Sequence, residues 1–318
     1  MKQFDFIKNK KYFFGFSIAI FVFFAIMLII NGIAMDINYK GGTRMTIEAT
    51  EGIDPNEVGS LIASELNKEV TASVMKSYDS EANNLSITMI RIDIAGNQPL
   101  TAEEEDRVKE VLSSNFDVKL DSNKNEVMSI SPIIGQETLE QGLWAVVISS
   151  GLILLYVAWR FSIISGFSAA VCAIIALIHD IGVMFGVYVT FKMPLNDIFI
   201  ACVLTIIGYS INDTVVIYDR IRENTTLMKK AGLEEIVNTS INQTMSRSIN
   251  TMMTTLICVV VLYIFSSMNN IGSLKDFSFS LLIGIVTGCY STIFIASPLW
   301  VVWMKYKQRL KAKKALSN

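Results

Sequence analysis

Long apolar stretches alternate with polar segments along this 318-residue chain, and six of them approach or exceed the length of a membrane-spanning helix. Crossing the roughly 30 Å hydrocarbon core of a bilayer takes about 20 helical residues. The second stretch is the shortest, so we expect its helix to begin earlier, within Glu140–Gly142. The pattern predicts a polytopic α-helical membrane protein with six transmembrane helices, over Tyr12–Ala34, Leu143–Trp159, Ile163–Phe191, Leu195–Tyr218, Ser248–Ser267 and Phe277–Met304.

The polar region between the first and second apolar stretches alternates strand and helix patterns. Thr43–Ala49 alternates apolar and polar residues, as a half-buried strand does. Capping signals precede two helices, with Asp54 before Pro55–Leu66 and Thr101 paired with Glu104 before the second. Further strands are predicted at Val70–Ser77 and Asn84–Ile92 around a turn at Tyr78–Asn83, and at Phe116–Leu120 and Val127–Ile130 as a hairpin around Asp121–Glu126. The order β-α-β-β-α-β predicts a ferredoxin-like α+β domain between transmembrane helices 1 and 2, a one-plus-five layout.

The charge distribution orients the predicted spans. Residues 35–142 carry 20 Asp and Glu against 9 Lys and Arg, whereas the rest of the chain carries 18 basic and 9 acidic residues. Because Lys and Arg collect on the cytoplasmic side of membrane proteins, both termini are expected to be cytoplasmic and residues 35–142 extracytoplasmic. The predicted units are therefore 1–34 (cytoplasmic tail and first helix), 35–142 (exported domain), 143–304 (helices 2–6 with a cytoplasmic linker at 220–246) and 305–318 (basic cytoplasmic tail).

The linker carries its own amphipathic pattern. Leu233, Ile236, Val237 and Ile241 share one face of a helix, which favours an interfacial helix on the cytoplasmic surface that leads into the fifth span. An ordinary amphipathic linker helix with no further role fits the same pattern equally well.

Asp213 lies in the middle of the apolar stretch Leu195–Tyr218. A carboxylate in hydrocarbon costs about 2.5–3.5 kcal/mol on insertion scales, so it is expected to face the protein interior, find a partner or become protonated. Ser210, Asn212 and Thr214 surround it and form a polar strip. The functional hypothesis is a carboxylate that gains and loses a proton, and the structural alternative is an interhelical hydrogen bond.

Arg247 is the candidate counter-charge, at the start of the fifth apolar stretch. A guanidinium stays charged when it is buried, so Arg247 can clamp an ionised Asp213 and release it on protonation. The alternative is a basic anchor whose side chain extends to the cytoplasmic interface. Both hypotheses remain open from the sequence.

Asp180 is a further charge inside the third stretch, and it is either a second station for a proton or an orienting partner for nearby polar groups. His179, the only histidine, is expected to be a helix-packing residue, and Asp197 a helix cap. No spacing suits a metal site, and no glycine-rich phosphate-binding motif is present, so neither a metal nor a cofactor is predicted. The four cysteines all fall in predicted spans and are expected to be packing residues.

Several motifs in order along the chain resemble the SecF family of the bacterial protein-export machinery, within the RND superfamily of proton-driven transporters. They are Asp36-Ile-Asn-Tyr-Lys-Gly-Gly-Thr, Ser131-Pro-Ile-Ile-Gly-Gln-Glu, Ala176-Leu-Ile-His-Asp, Gly208-Tyr-Ser-Ile-Asn-Asp-Thr-Val-Val-Ile-Tyr-Asp-Arg-Ile-Arg-Glu-Asn and Arg247-Ser-Ile-Asn-Thr-Met-Met-Thr-Thr. The fourth motif is long and specific, whereas the first and third are shared with SecD.

The resemblance implies a function and a set of partners. The chain would be one half of a twelve-span unit with SecD, in the bacterial cytoplasmic membrane and its lipids. That unit would assist the SecYEG translocon by using the proton-motive force to draw translocating polypeptide outward. Asp213 and Arg247 match the charged pair credited with proton coupling, and the resemblance implies no nucleic-acid partner.

Two other functions fit parts of the sequence. A half-size RND exporter of small molecules or lipids shares the proton coupling but needs a larger exported domain to enclose a pocket. An intramembrane aspartyl protease needs two close aspartates and a Gly-x-Gly-Asp signature that this chain lacks. The sequence therefore favours a translocation subunit that is not an enzyme.

Overall fold

A computed structural model describes residues 4–78, 86–96, 98–269 and 271–317. In chain order its elements are α1 (Lys10–Asn31), α2 (Ile37–Lys40), β1 (Gly42–Ala49), α3 (Pro55–Leu66), β2 (Val70–Tyr78), β3 (Ser86–Ala95), α4 (Ala102–Asn115), β4 (Val118–Lys119), β5 (Glu126–Ile130), α5 (Pro132–Arg160), a short 3₁₀ turn (Ser162–Ile164), α6 (Gly166–Thr190), α7 (Asp197–Leu227), α8 (Leu233–Met268), α9 (Gly272–Ser291), a π-helical segment (Thr292–Ala296) and α10 (Ser297–Ser317). The predicted fold class is confirmed: the described residues contain six helices long and apolar enough to cross a membrane, with an α+β domain between the first two.

Three of the membrane helices, α5, α7 and α8, are longer than the apolar stretches that predicted them. α5 begins at Pro132, directly after β5, and α7 continues to Leu227. The predicted linker forms no separate helix before the fifth span, because α8 runs without interruption from Leu233 to Met268. Ile236, Val237 and Ile241 are buried, and the last two belong to a core cluster of the helical bundle. Arg247 therefore lies more than three turns inside α8.

The exported domain has the predicted ferredoxin-like arrangement. Its antiparallel sheet has the order β2-β3-β1-β4, so β3 lies between the two strands that α3 connects. Thr101 and Glu104 form the predicted capping box of α4, and Asp54 caps α3 by accepting from the Asn56 amide. Ile62, Ile90 and Leu112 belong to the core that α3 and α4 cover. The turn was predicted at Tyr78–Asn83; Tyr78 is the last residue of β2, and residues 79–83, with the first two residues of the predicted following strand, Asn84 and Leu85, lie outside the described part of the chain.

The predicted hairpin of the last two strands is wrong. Both β4 and β5 pair with β1 in the same antiparallel direction, so they are two parts of one interrupted fourth strand. The side chain of Asn125 bridges the interruption: it accepts from the Glu48 amide at 2.8 Å and donates to the carbonyls of Lys119 and Leu120. Lys119 and Ser122 also donate to the Glu48 carboxylate, and these bonds, the one from Lys119 first, hold the pKa of Glu48 below its ordinary value.

A second correction concerns the start of α7. Asn196, and not Asp197, caps the helix by accepting from the Phe199 amide at 3.0 Å. Asp197 is the first helical residue, where a carboxylate interacts favourably with the helix dipole. The predicted cap therefore lies one residue after the actual cap.

Candidate functional site

Asp213 lies half-buried on α7 and contacts α8. Its Oδ1 accepts a hydrogen bond from the Ser248 hydroxyl at 2.5 Å. Its Oδ2 is buried and has no hydrogen-bond partner among the described residues. An unpaired oxygen in a buried carboxyl is costly and available for a new partner or for a proton.

Arg247 does not contact Asp213 directly in this conformation. Its side chain is exposed on α8, while the next residue, Ser248, is buried and turned toward α7. Arg247 is still near enough for a coulombic interaction with the carboxylate. The proposed release and capture of Asp213 by Arg247 therefore stays a prediction about another conformation.

Asp180 anchors a second polar cluster at the centre of the helical bundle. The residue is completely buried on α6, and its Oδ2 accepts from the hydroxyls of Ser210 on α7 at 2.8 Å and Ser291 on α9 at 2.9 Å. Its Oδ1 lies 3.4 Å from Nδ1 of His179. One carboxyl group therefore joins three of the membrane helices.

Threonine hydroxyls continue this cluster toward the C-terminal end of α7. Thr214, one turn after Ser210, lies with its hydroxyl 2.9 Å from that of Thr292. Thr292 opens the π-helical segment, and such segments are frequent at functional sites because they break the regular helical hydrogen bonding. Three of the predicted polar residues, Ser210, Asp213 and Thr214, thus lie within about one turn of α7 and contact α6, α8 and the π-helical segment.

Small residues bring α9 close enough to α7 for these contacts. A Cβ atom on Gly288 would lie 3.2 Å from Cβ of Ser210, and one on Gly284 would collide with the side chain of Ile206. Glycines four residues apart permit such close helix approach in membranes. The sequence-based prediction missed Gly284, Gly288, Ser291 and Thr292. Their spacing of small and hydroxyl residues in an apolar stretch was the available signal.

His179 packs between helices, as predicted, and in addition contacts Asp180. Besides the contact with Asp180, its ring stacks on Tyr290 at 5.8 Å and meets the edge of Phe21 at 5.5 Å. Its Nε2 is buried without a hydrogen-bond partner among the described residues. The ring therefore packs against aromatic side chains and also contacts a buried carboxyl.

Asn212 and Arg247 lie on the same open face of the bundle. Both side chains are exposed, as are Thr205 and Gly208 on α7 and Asn250 and Thr254 on α8. Within the described chain nothing covers this face. The Asp213 site is therefore at the edge of the bundle, whereas the Asp180 cluster is at its centre.

The fold and these buried carboxyl groups define a polytopic membrane protein with a polar core. The family model for protein export membrane protein SecD/SecF, C-terminal, matches residues 109–306. The chain is 33% identical over 95% of its length to the protein translocase subunit SecF of Alicyclobacillus acidocaldarius, 93% of which is covered. It is 32% identical over 95% of its length to the SecDF subunit of Bacillus subtilis, of which it covers 38%.

A solved structure agrees with these matches. SecDF of Thermus thermophilus superposes with a TM-score of 0.75 at 29% identity, over 95% of this chain and 39% of that one. The chain therefore spans about two fifths of the SecDF chains that it matches, but nearly all of the SecF subunit. It belongs to the SecD/SecF family of protein export membrane proteins, as the sequence motifs indicated.

Proposed function

We propose that this chain is a SecF-type accessory subunit of the Sec translocase, which works with a SecD partner to promote polypeptide export with the proton-motive force. The nearly full-length match to SecF subunits carries the proposal. The relatives named as SecDF contain both halves in one chain, and this chain matches only one of them. The proposal assigns no enzymatic reaction to the chain.

The open face of α7 and α8 supports a membrane partner. Asn212, Arg247 and Asn250 are exposed there within the membrane-spanning helices. Polar side chains in hydrocarbon are costly, so they usually face another protein surface. Exposed small residues on α7, Thr205 and Gly208, suit close helix packing. We infer that SecD covers this face and completes the site around Asp213.

The proposed mechanism is a proton cycle at Asp213. When protonated, the carboxyl is neutral and its burial at the helix interface costs little. When it is ionised, the unpaired Oδ2 needs a donor or a cation. Arg247, one residue from Ser248, supplies that cation after a rotation or shift of α8. The polar path for the proton along α7 is formed by Ser210, Asn212 and Thr214. Asp180 remains a further candidate for the relay.

The proposed orientation follows from the charge distribution. The acidic domain lies outside the bacterial cytoplasmic membrane and both termini lie in the cytoplasm, since the basic residues outside residues 35–142 outnumber the acidic ones by 18 to 9. The exported domain is then on the side where polypeptide leaves the SecYEG translocon. Those partners are proposed from the relatives' role.

The substitution Asp213→Asn tests the proton cycle. Asparagine keeps an oxygen that accepts from Ser248 but cannot ionise, so insertion and folding should be unchanged. We expect proton-motive stimulation of export to be lost in inverted vesicles that contain SecYEG, SecD and the variant. The matched control is Glu223→Gln, which neutralises an exposed carboxylate on the same helix and should retain stimulation. Wild-type stimulation by Asp213→Asn would rule out the cycle.

A further inference from the structure

The segment before α1, Phe4–Asn9, is held against the first turns of α8 by side-chain amides. Asn242 accepts from the Phe4 amide at 3.3 Å and donates to the Phe4 carbonyl at 3.0 Å. Asn238, one turn earlier, accepts from the Phe6 amide at 2.8 Å. These two asparagine side chains bond the backbone of the segment as a second peptide backbone would. We call residues 4–9 the N-terminal strap.

Two apolar side chains anchor the strap in the helical bundle. Phe6 and Ile7 are each 2% exposed and belong to the same core cluster as Val237 and Ile241 of α8. The Phe6 ring also lies 5.8 Å, between centroids, from that of Phe294 in the π-helical segment. Residues near a chain end are poorly ordered unless they are tied down. The burial of both side chains therefore makes the strap part of the packed bundle.

The strap and α7 hold opposite sides of α8. Ser240 lies two residues after Asn238, and therefore about 200° further around the helix axis. Its hydroxyl accepts from the buried side chain of Asn224 on α7 at 2.8 Å. The same Asn224 side chain also donates to that of Gln243 at 2.8 Å. The first turns of α8 thus lie between α7 and the strap, and a rotation of these turns breaks contacts on both sides.

The rotation of α8 about its axis decides which of its residues meets Asp213. Because α8 is uninterrupted, the orientation of its first turns sets that of Arg247 and Ser248, which follow Asn242 by about 1.5 turns. In the present orientation the Ser248 hydroxyl donates to Asp213, and the Arg247 side chain is exposed. Bringing Arg247 to the same place takes a rotation of about 100°. That rotation would carry both asparagines away from the strap.

We propose that the N-terminal strap is a conformational lock that holds α8 with Ser248, and not Arg247, at Asp213. While the two asparagines bond the strap, the arginine stays on the open face of the bundle. When the strap leaves α8, the helix is free to rotate and the arginine reaches the carboxylate. The consequence of the lock for export rests on the proposed function, whereas the effect of the strap on the orientation of α8 does not.

Distances between spin labels on α7 and α8 test the lock. The labels are placed at two exposed positions, Thr226→Cys on α7 and Ser246→Cys on α8. The full chain also carries Cys258→Ser, which removes the exposed native cysteine. We expect one dominant distance in this protein. Asn238→Ala combined with Asn242→Ala removes the side-chain bonds to the strap, and it should raise a second distance component, in which α8 has rotated, about tenfold or more.

A matched control and a milder variant complete the test. Asn250→Ala, the same change about two turns further along α8 and outside the strap, should leave the single distance. A double variant that keeps or merely broadens the single distance would contradict the lock even if its melting temperature falls, because a purely structural strap affects stability and not the orientation of α8. If the double variant does not fold, Asn242→Ala alone should give a smaller rise of the same second component, and its absence there would contradict the lock equally. These measurements need no export activity, so their outcome is independent of the Asp213→Asn test.

Discussion

At the scale of single residues, Ser248 contacts Asp213, whereas the sequence-based prediction paired Asp213 with the neighbouring residue, Arg247. Consecutive helical residues differ by about 100° around the axis, so Ser248 and Arg247 cannot both point at α7. Ser248 faces inward and Arg247 faces the open side of the bundle. The serine therefore holds the carboxyl in this conformation, and the arginine remains free to act in another.

Ser248→Ala should weaken the proton-coupled step without preventing assembly. A hydrogen bond to a charged group contributes about 1.5–3 kcal/mol, so we expect a roughly tenfold or greater loss of proton-motive stimulation in the vesicle assay. Ser248→Thr keeps the hydroxyl and serves as the control, which should retain most of the stimulation. If Ser248→Ala is as active as the wild type, the contact is incidental to coupling.

At the scale of elements, the sequence predicted those helix and strand ends that depend on interactions between residues close together in the chain. The starts of α3 and α4 were predicted from capping residues, and in the structure those residues form the capping hydrogen bonds. The interrupted fourth strand could not be predicted, because its two parts pair with β1, about 70 or more residues earlier, and the Asn125 side chain bridges the interruption. A polar interruption between two apolar runs has the same local pattern in a hairpin and in a strand with an inserted loop.

The same distinction applies to the candidate site. Asp213, Ser210, Thr214 and Asp180 could be selected because polar groups in an apolar stretch are costly. Ser291 and Thr292 gave a weaker signal, because serine and threonine in a helix can bond the backbone of the preceding turn and so do not require a partner. Only the close approach of α9 to α7 gives these hydroxyls their role.

That close approach should be sensitive to added volume at Gly288. A larger side chain would be driven into Ser210 and would separate α9 from α7. Overpacking of this kind costs about 1–3 kcal/mol, so we expect Gly288→Val to lower the thermal stability of the purified chain. Gly151→Val is the matched control, since a Cβ atom on Gly151 meets nothing within 4 Å, and it should have a smaller effect. Equal losses from the two substitutions would argue against a tight contact between α7 and α9.

At the scale of the whole molecule, the α+β domain is connected to the start of the helix that carries Asp213. The amide of Asp36 donates to the carbonyl of Leu195, and the amide of Leu195 donates to the carbonyl of Ala34, both at 2.9 Å. These bonds join the end of α1 to the loop before α7. A shift of the start of α7 is therefore expected to displace the chain segment that enters β1.

Arg44 extends this connection into the sheet. It donates to both oxygens of Asp93 on β3, at 2.6 and 3.1 Å, and also to Asp36 at 3.2 Å. These three side chains are largely buried, with 12–18% exposure. Loss of one member of a buried ion pair typically costs about 3–5 kcal/mol. Arg44 thus connects the sheet to the segment around Asp36, and backbone hydrogen bonds connect that segment to the α6–α7 loop.

Arg44→Ala should therefore loosen the exported domain from the membrane helices without unfolding either. Spin labels at Ser113→Cys on α4 and Lys275→Cys on α9, in a Cys258→Ser background, report the distance between the two parts. We expect a narrow distance distribution with Arg44 and a broad one in Arg44→Ala. Lys109→Ala removes a charge from the same domain but only exposed ion pairs, so its distribution should stay narrow. If Arg44→Ala also stays narrow, the backbone bonds at Leu195 suffice for the connection, and movement at Asp213 reaches the exported domain through the backbone alone.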